Sequence, residues 1–139
     1  MSKASESFLK VDVDRCMGCL ACEMACAVAH TRAGTLFGAV LASEPLAPRN
    51  HVVAVAGVRF PTQCRQCEEA PCVKVCPTGA TFRTETYTAV NTNLCIACKL
   101  CMMVCPFGAI QIATVPNNGG ARRAAIKCDL CEGVDGGPA

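Results

Sequence analysis

Residues 64–80 read CRQCEEAPCVKVCPTGA, and residues 95–109 read CIACKLCMMVCPFGA. The cysteines of the first stretch are spaced C-x2-C-x4-C-x3-C and those of the second C-x2-C-x2-C-x3-C. Each stretch continues Cys-Pro-x-Gly-Ala, so the segment Cys72–Ala80 matches the segment Cys101–Ala109 in its cysteines, proline, glycine and alanine. The two stretches therefore indicate an internal duplication in the middle of the chain.

The remaining cysteines also occur in groups. One group repeats the spacing C-x2-C-x2-C-x3-C and another is a single C-x2-C pair, which brings the total to 14 Cys. The members of these two groups are Cys16, Cys19, Cys22, Cys26, Cys128 and Cys131. These steps are the ones with which bacterial ferredoxins bind [4Fe–4S] clusters. A loop with a Cys at every third position wraps three thiolates round one cluster, and its backbone N–H groups offset the cluster's negative charge.

The fourth Cys of each run is predicted to serve a different cluster from the first three. It lies one helical turn further on, and in two-cluster ferredoxins it binds the other cluster of the pair. This exchange rule predicts two complete sites in the middle of the chain. Their ligands are Cys64, Cys67, Cys72 and Cys105 for one cluster, and Cys95, Cys98, Cys101 and Cys76 for the other.

Two other uses of so many cysteines are considered. Disulfides suit secreted proteins, but C-x2-C-x2-C spacing is too tight for efficient cross-bridging. Structural zinc usually takes ligands in two well-separated pairs, often with His, and the chain has only His30 and His51. Both uses are therefore disfavoured, although zinc stays open as an alternative to iron–sulfur clusters.

Composition limits the class of protein. The 139 residues include five Phe, one Tyr and no Trp, so we do not expect an ordinary hydrophobic core to hold the chain by itself. The formal charge of +2 is too small and scattered for a nucleic-acid binder. No run of about 18 apolar residues is present, so we expect no membrane span. The opening MSKASESFLK has no apolar export region and no twin arginine, and we expect a cytoplasmic protein.

The pattern between the cysteines predicts an α+β protein, a duplicated bacterial dicluster ferredoxin-like fold with small strands and short helices around [4Fe–4S] clusters. Helices are expected in two segments, Leu20–His30 and Lys99–Val104. Strands are expected over Phe8–Asp14, His51–Phe60, Ile110–Val115 and Ala124–Lys127, and a hairpin over Thr81–Val90.

Three motifs resemble those of a known family: Lys127-Cys-Asp-Leu-Cys131, Cys64-Arg-Gln-Cys67-Glu-Glu-Ala-Pro-Cys72 and Cys76-Pro77-Thr-Gly-Ala80. The chain is similar to the four-cluster ferredoxin-type iron–sulfur subunits of complex oxidoreductases. These include subunits of carbon monoxide dehydrogenase (CooF type), formate dehydrogenases, formate-linked hydrogenases, tungsten aldehyde oxidoreductase and dimethyl sulfoxide reductase. The similarity covers nearly the whole chain from Phe8.

The resemblance implies how the outer cysteines are used. Residues 1–59 plus 116–139 would form an outer ferredoxin module, and residues 60–115 an inserted central dicluster module. Cys16, Cys19 and Cys22 would hold one further cluster, and Cys128, Cys131 and Cys26 a fourth. In the family two more cysteines follow the fourth motif, whereas this sequence stops at Ala139. We expect the chain to be cut short of them; the alternative is that these sites are incomplete or use another ligand. Asp129 and Asp135 are expected to be surface carboxylates rather than such ligands, and His30 a surface or loop residue.

The expected function is electron transfer without substrate chemistry, because no nucleophile with a base, no paired acids and no phosphate loop is recognisable. The resemblance implies a non-catalytic subunit, in an anaerobic oxidoreductase hetero-oligomer, that relays electrons along up to four clusters. Its partners would be a catalytic subunit (carbon monoxide dehydrogenase, tungsten aldehyde oxidoreductase or formate dehydrogenase type) and an acceptor or second redox subunit. The alternatives are a free polyferredoxin shuttle and a structural zinc protein. Each cluster with its thiolates carries roughly 2−, so the loaded protein is expected to be acidic.

Overall fold

The helices and strands are short, and loops that carry the cysteines connect them. The computed structural model describes residues 9–117 and 120–134. In chain order the elements are α1 (Ala21–Ala29), α2 (Leu36–Leu41), β1 (His51–Val55), β2 (Val58–Thr62), α3 (Pro71–Lys74), β3 (Thr81–Arg83), β4 (Thr88–Val90), α4 (Leu100–Val104), β5 (Gln111–Asn117) and β6 (Gly120–Ile126). This mixture confirms the predicted α+β class. No helix among the described residues has the length and apolar character needed to cross a bilayer.

The strands form three separate antiparallel hairpins, β1–β2, β3–β4 and β5–β6. Their registers pair His51 with Thr62, Thr81 with Val90, and Gln111 with Ile126. The predicted hairpin over Thr81–Val90 and the two predicted strands before and after residues 116–120 are confirmed. The proposed limits of the central module, at residues 60 and 115, fall within β2 and β5.

The single strand predicted over His51–Phe60 is wrong, because the chain turns back at Ala56 and Gly57. Both residues have positive φ, 50° and 83°, as a two-residue turn between twisted strands requires. Gly adopts this conformation freely, but Ala rarely does. The apolar composition of this segment therefore does not indicate the turn at Ala56 and Gly57.

The strand predicted over Phe8–Asp14 is absent from the described part of that segment, residues 9–14. Phe8 itself lies outside the described residues. Leu9 and Val13 are exposed, and the Leu9 carbonyl accepts a hydrogen bond from the Gln63 side chain. Alternating apolar residues suit a pleated surface, but a strand also needs a neighbouring strand to bond to. The helices predicted over Leu20–His30 and Lys99–Val104 are confirmed by α1 and α4.

The interior is built from unusually small side chains. The most buried apolar residues are mainly alanines and cysteines: Ala27, Ala39, Ala70, Cys72, Ala80, Cys95, Cys101, Ala109, Ala124, Ala125 and Cys128, with Ile110 and Ile126. Such side chains bury little apolar area each, so they contribute little to stability by themselves. The centre of the protein is thus the place where its cysteines are concentrated.

Candidate metal centres

All four cysteine motifs share one backbone feature. The residue immediately before the second Cys of each motif has a left-handed conformation, with φ of 71° at Gly18, 53° at Gln66, 55° at Ala97 and 58° at Leu130. Only glycine adopts this region without strain, and a non-glycine residue there is held by its surroundings. Left-handed residues in such loops turn successive N–H groups toward one side, which makes a concavity that binds anions, including iron–sulfur clusters.

The first and third motifs also enter their helices in the same way. Leu20 and Lys99, each directly after the second Cys, have φ of 62° and 68° and precede α1 and α4. In both cases the next Cys lies in the first turn of the helix. The equal spacing in sequence therefore corresponds to equal local structure.

The duplication seen in the sequence is present in three dimensions. Cys72 on α3 and Cys101 on α4 are both about nine-tenths buried. After each Cys-Pro, a glycine with positive φ donates its N–H to the carbonyl of that Cys at 3.3 Å, Gly79 to Cys76 and Gly108 to Cys105. The alanine that follows each glycine is buried, which allows the backbone to lie close to the cysteine loops.

One predicted ligand set lies around a single cavity. The cavity wall contains Cys76, Cys95, Cys98 and Cys101, together with small side chains and backbone from both halves of the duplication. Burial raises the pKa of the Cys101 thiol, and the nearby charges of Cys95 and Cys98 raise it further. The fourth cysteine of the second motif is thus next to the first three of the third motif.

Backbone N–H groups point at the sulfurs of this cavity. Cys95 Sγ accepts hydrogen bonds from Ala125 N at 3.3 Å and Ala97 N at 3.4 Å, and Cys76 Sγ accepts one from Thr81 N at 3.5 Å. Burial acts to raise the pKa of Cys76, but the Thr81 N–H and neighbouring hydrogen bonds outweigh it and lower the pKa to about 7. Such bonds favour the thiolate form that binds iron.

The other central set is also close together. Burial raises the pKa of the Cys72 thiol, and the charges of Cys64 and Cys105 add to this effect, whereas Lys127 opposes it. Cys67 packs against the same buried cluster as Cys72. The last cysteine of the third motif therefore lies beside the second motif.

The first motif is more open than the central ones. Cys19 and Cys22 are exposed and Cys16 is half-buried. Cys26, which lies further along α1, is half-buried. Its burial therefore differs from that of Cys19 and Cys22 but not from that of Cys16.

Cys26 lies in a network of polar groups. Its Sγ accepts a hydrogen bond from the Arg49 backbone N–H at 3.3 Å, and its carbonyl accepts one from His30 Nδ1 at 2.8 Å. Burial acts to raise the pKa of the Cys26 thiol, but the His30 contact and the Arg49 N–H outweigh it, and the pKa lies below its ordinary value. Burial raises the pKa of Cys128, and the charge of Cys26 raises it further.

His30 also connects to the fourth motif. Its Nε2 lies 3.1 Å from Oδ1 of Asp129, whose Oδ2 pairs with the Arg49 guanidinium. The hydrogen bond to Asp129, together with the Cys26 contact, raises the pKa of His30 to about 9. Asp129 Oδ1 further accepts the backbone N–H of Cys131 at 3.2 Å.

The expectation that His30 lies in a loop agrees with its place in the turn after α1, whereas neither His30 nor Asp129 is a fully exposed surface residue. Their side chains are only 9% and 19% exposed. Nothing in the local sequence of either residue reveals the other, since 99 positions separate them. The Asp129 oxygens are engaged by His30, Arg49 and a backbone N–H, which leaves them poorly available as iron ligands. Asp135 lies outside the described residues.

Two further residues that contact the cysteine motifs were not predicted from the sequence. Lys127 is buried and its Nζ lies 3.4 Å from Cys64 Sγ. Gln66 donates from Nε2 to the Cys128 carbonyl at 2.8 Å and accepts the Thr88 N–H at 3.0 Å. Their positions in the sequence could have identified both residues, since Lys127 directly precedes Cys128 and Gln66 lies between Cys64 and Cys67.

The donor sets have the chemistry that iron–sulfur clusters require. Among residues 9–117 and 120–134, no three His, Cys, Asp or Glu side chains surround a point where one metal ion could bind. In a cubane each iron takes one thiolate, so the four sulfurs stand apart on different sides of the cluster. Thiolates, inward N–H groups and small neighbouring side chains are all present, and together they fit [4Fe–4S] ligation.

Comparison with known proteins agrees with this chemistry. Models described as "4Fe-4S binding domain" match residues 13–29 and residues 88–111. The chain is 49% identical over 122 residues to an "Iron-sulfur protein" of Rhodospirillum rubrum; the match covers 85% of this chain and 64% of that protein's length. It is 40% identical to "Electron transport protein HydN" of Escherichia coli K12, over 95% of this chain and 79% of that protein. It is 34% identical to "Formate hydrogenlyase subunit 2" of the same organism, over 95% of this chain and 74% of that protein.

The names of these relatives agree with a role in moving electrons. The first and third cysteine motifs lie within the segments that the 4Fe-4S models match. The HydN match spans nearly the whole chain and more than two thirds of the relative. The chain therefore belongs to the ferredoxin-type iron–sulfur electron-transfer proteins that bind [4Fe–4S] clusters.

Proposed function

We propose that the chain is a non-catalytic subunit that relays electrons through up to four [4Fe–4S] clusters. The electrons would pass between the catalytic subunit of a cytoplasmic oxidoreductase and an acceptor or further redox subunit. The proposed ligand sets are Cys16, Cys19 and Cys22; Cys64, Cys67, Cys72 and Cys105; Cys95, Cys98, Cys101 and Cys76; and Cys128, Cys131 and Cys26. When bound, the clusters supply reversible one-electron chemistry.

The observation that carries this proposal is the left-handed residue common to all four loops. In a motif without a cluster, no bound group would offset the strain of a left-handed Gln66 or Leu130 at this position. The two outer motifs share this left-handed residue with the two central ones. This equality supports cluster binding at both ends of the chain as well as in the middle.

The arrangement of ligands also supports a relay. Cys128 has both Cys26 and Cys64 within electrostatic reach, and Cys64 belongs to a proposed central site. Cys76 and Cys105 each connect one half of the duplication to the other. Neighbouring centres would thus be close enough for electrons to pass between them through the protein. The division into an outer module (1–59 plus 116–139) and a central module (60–115) is part of the proposal.

The partner is proposed from the names of relatives. Formate hydrogenlyase subunit 2 is named as part of a complex, and HydN as an electron transport protein. A formate-linked, carbon monoxide or tungsten aldehyde oxidoreductase is the class of catalytic partner that we favour. The second candidate, a free polyferredoxin, also agrees with the HydN name.

The first test is iron and acid-labile sulfide per chain, measured on protein isolated anaerobically from its native source. About 16 of each is expected for four clusters. About 8 of each would restrict the proposal to the central module and contradict the four-cluster relay. Zinc without sulfide would overturn the proposal.

The second test separates a subunit from a free shuttle. Native purification without denaturant is expected to yield the chain in a fixed ratio with a catalytic subunit. The chain eluting alone, fully loaded and able to reduce several enzymes, would contradict the subunit proposal and favour the polyferredoxin.

A further inference from the structure

Lys127 is a buried lysine at the junction of two proposed centres. Only 3% of the residue is exposed. Its Nζ lies 3.4 Å from Cys64 Sγ, 3.4 Å from Gln66 Oε1 and 3.2 Å from the Cys128 carbonyl oxygen, and it also donates to the Thr88 carbonyl. The side-chain nitrogen of Lys127 is therefore well supplied with acceptors and almost wholly shielded from solvent.

These acceptors do not neutralise its charge. The carbonyls of Thr88 and Cys128 and the amide of Gln66 are neutral. Among the described residues, the ion pairs are His30–Asp129, Arg49–Asp129 and Lys74–Glu69, and none includes Lys127. A buried cation without a nearby anion is strongly unfavourable. The anion expected beside Lys127 is the group at Cys64, because a thiolate-bound [4Fe–4S] cluster carries roughly 2−.

The position of Lys127 also joins two ligand sets. Its Nζ contacts the sulfur of Cys64 and the carbonyl of Cys128. The charge of Cys64 also acts to raise the pKa of the Cys128 thiol. Gln66 reinforces this junction, since it binds the Cys128 carbonyl from the second motif. Lys127 thus lies where the central and outer modules meet.

We propose that Lys127 is a positioning residue that raises the reduction potential of the cluster bound at Cys64, at the step where electrons pass to the cluster bound at Cys128. Reduction adds one electron, and hence one negative charge, to the cluster, and no bond or proton of Lys127 changes. A fixed positive charge at a ligand sulfur stabilises the reduced state more than the oxidised state, and low solvent exposure prevents screening. This inference rests on the proposed function, because it requires clusters at both sites.

The test is an EPR-monitored redox titration of the full chain, isolated anaerobically with its clusters. Lys127→Gln removes the charge but keeps an N–H donor for the carbonyls and the sulfur. We expect one cluster to become harder to reduce, by about tenfold in its reduced-to-oxidised ratio at fixed potential, which is about 59 mV for one electron. The other clusters are expected to keep their potentials.

Two variants serve as controls. Lys127→Arg keeps the charge and is expected to keep the wild-type potential. Lys74→Gln makes the same chemical change between Cys72 and Cys76, but the Lys74 side chain is 67% exposed and pairs with Glu69. Solvent screens such a charge, so this variant is expected to leave all potentials unchanged.

Each outcome bears on one claim. Unchanged potentials in a fully loaded Lys127→Gln protein would overturn the inference. Loss of about four irons in Lys127→Gln but not in Lys127→Arg would support it, since only the variant that keeps the positive charge would then keep the cluster. Equal loss in both would contradict it, because shape rather than charge would then matter. Wild-type protein without clusters would instead overturn the proposed function.

Discussion

The Nε2 atom of His30 lies 3.1 Å from Oδ1 of Asp129, although 99 residues separate them in the chain. His30 directly follows α1, and Asp129 lies between Cys128 and Cys131. Because the other ring nitrogen of His30 binds the Cys26 carbonyl, the imidazole connects Cys26 to the fourth motif. The first and last cysteine motifs are thus held together by side chains, independently of any bound cluster.

Asp129→Ala should therefore loosen the fourth motif from Cys26. The change removes acceptors for His30, Arg49 and the Cys131 N–H at once. We expect a loss of about 1.5–3 kcal/mol in the free energy of unfolding, as for hydrogen bonds to a charged group. Thermal unfolding and iron per chain measure the effect, with less iron expected at the outer sites. Asp12→Ala, which removes an exposed carboxylate with one local contact, is the matched control. Equal stability and iron content in the two variants would contradict this role.

The exchange of the fourth cysteines can be tested by combining substitutions. Cys105→Ala is expected to remove about four irons per chain. Adding Cys64→Ala should remove no more iron, because both residues are proposed to bind the same cluster. Adding Cys98→Ala to Cys105→Ala should instead remove about four more. If the pair with Cys98 loses no more iron than Cys105→Ala alone, Cys105 serves the third motif and the exchange is refuted.

The sequence predicts where the cysteine loops lie, because the spacing of cluster ligands is fixed by the cluster. Which cysteines share a cluster stays a prediction. The sequence also predicts the hairpin over Thr81–Val90 and helices α1 and α4. It fails where structure depends on distant partners or on rare backbone conformations. The His51–Phe60 segment became a hairpin through a positive φ at Ala56. The segment from Leu9 to Asp14 lacks a partner strand among the described residues.

The polar residues around the centres are the hardest to predict from sequence. His30, Asp129 and Lys127 would be solvent-exposed in most chains, and their burial here follows from contacts across the fold. Each lies within four residues of a cysteine motif. That proximity gives the position of such residues but not their partners.

Gly18→Ala tests the close approach of the first motif to β2. A Cβ atom at Gly18 would overlap Cδ of Arg59. Ala97, at the equivalent place in the third motif, has φ of 55°, so a methyl group is tolerated in the loop itself. We expect Gly18→Ala to lower iron content at the first motif and to destabilise the fold by about 1–2 kcal/mol for a left-handed alanine, together with the cost of moving the exposed Arg59 side chain.

Gly34→Ala is the matched control for this change. Gly34 also has positive φ, 61°, but no described atom lies within 4 Å of its Cβ position. Adding Arg59→Ala to Gly18→Ala should restore iron and the part of the stability that the contact with Arg59 costs. If the double variant is as poor in iron as Gly18→Ala alone, the contact with Arg59 is not the cause.

Removing the clusters is expected to unfold the centre of the protein rather than to leave a folded centre with empty cluster sites. The buried residues around the central cysteines are small, with Ala80, Ala124 and Ala125 almost wholly inaccessible to solvent. Without a cluster, their limited apolar area leaves little to offset the entropy of ordering the chain. Oxidation followed by chelation of iron is therefore expected to abolish cooperative thermal unfolding and to cause binding of a hydrophobic dye.

The control for this treatment is the same chelator saturated with iron beforehand, which should leave the unfolding transition unchanged. Restoring iron, sulfide and reductant to the stripped chain should restore the transition, because metal binding and folding are coupled when the site does not preform. A stripped chain that still unfolds cooperatively at the original temperature would contradict the view that the clusters complete this core.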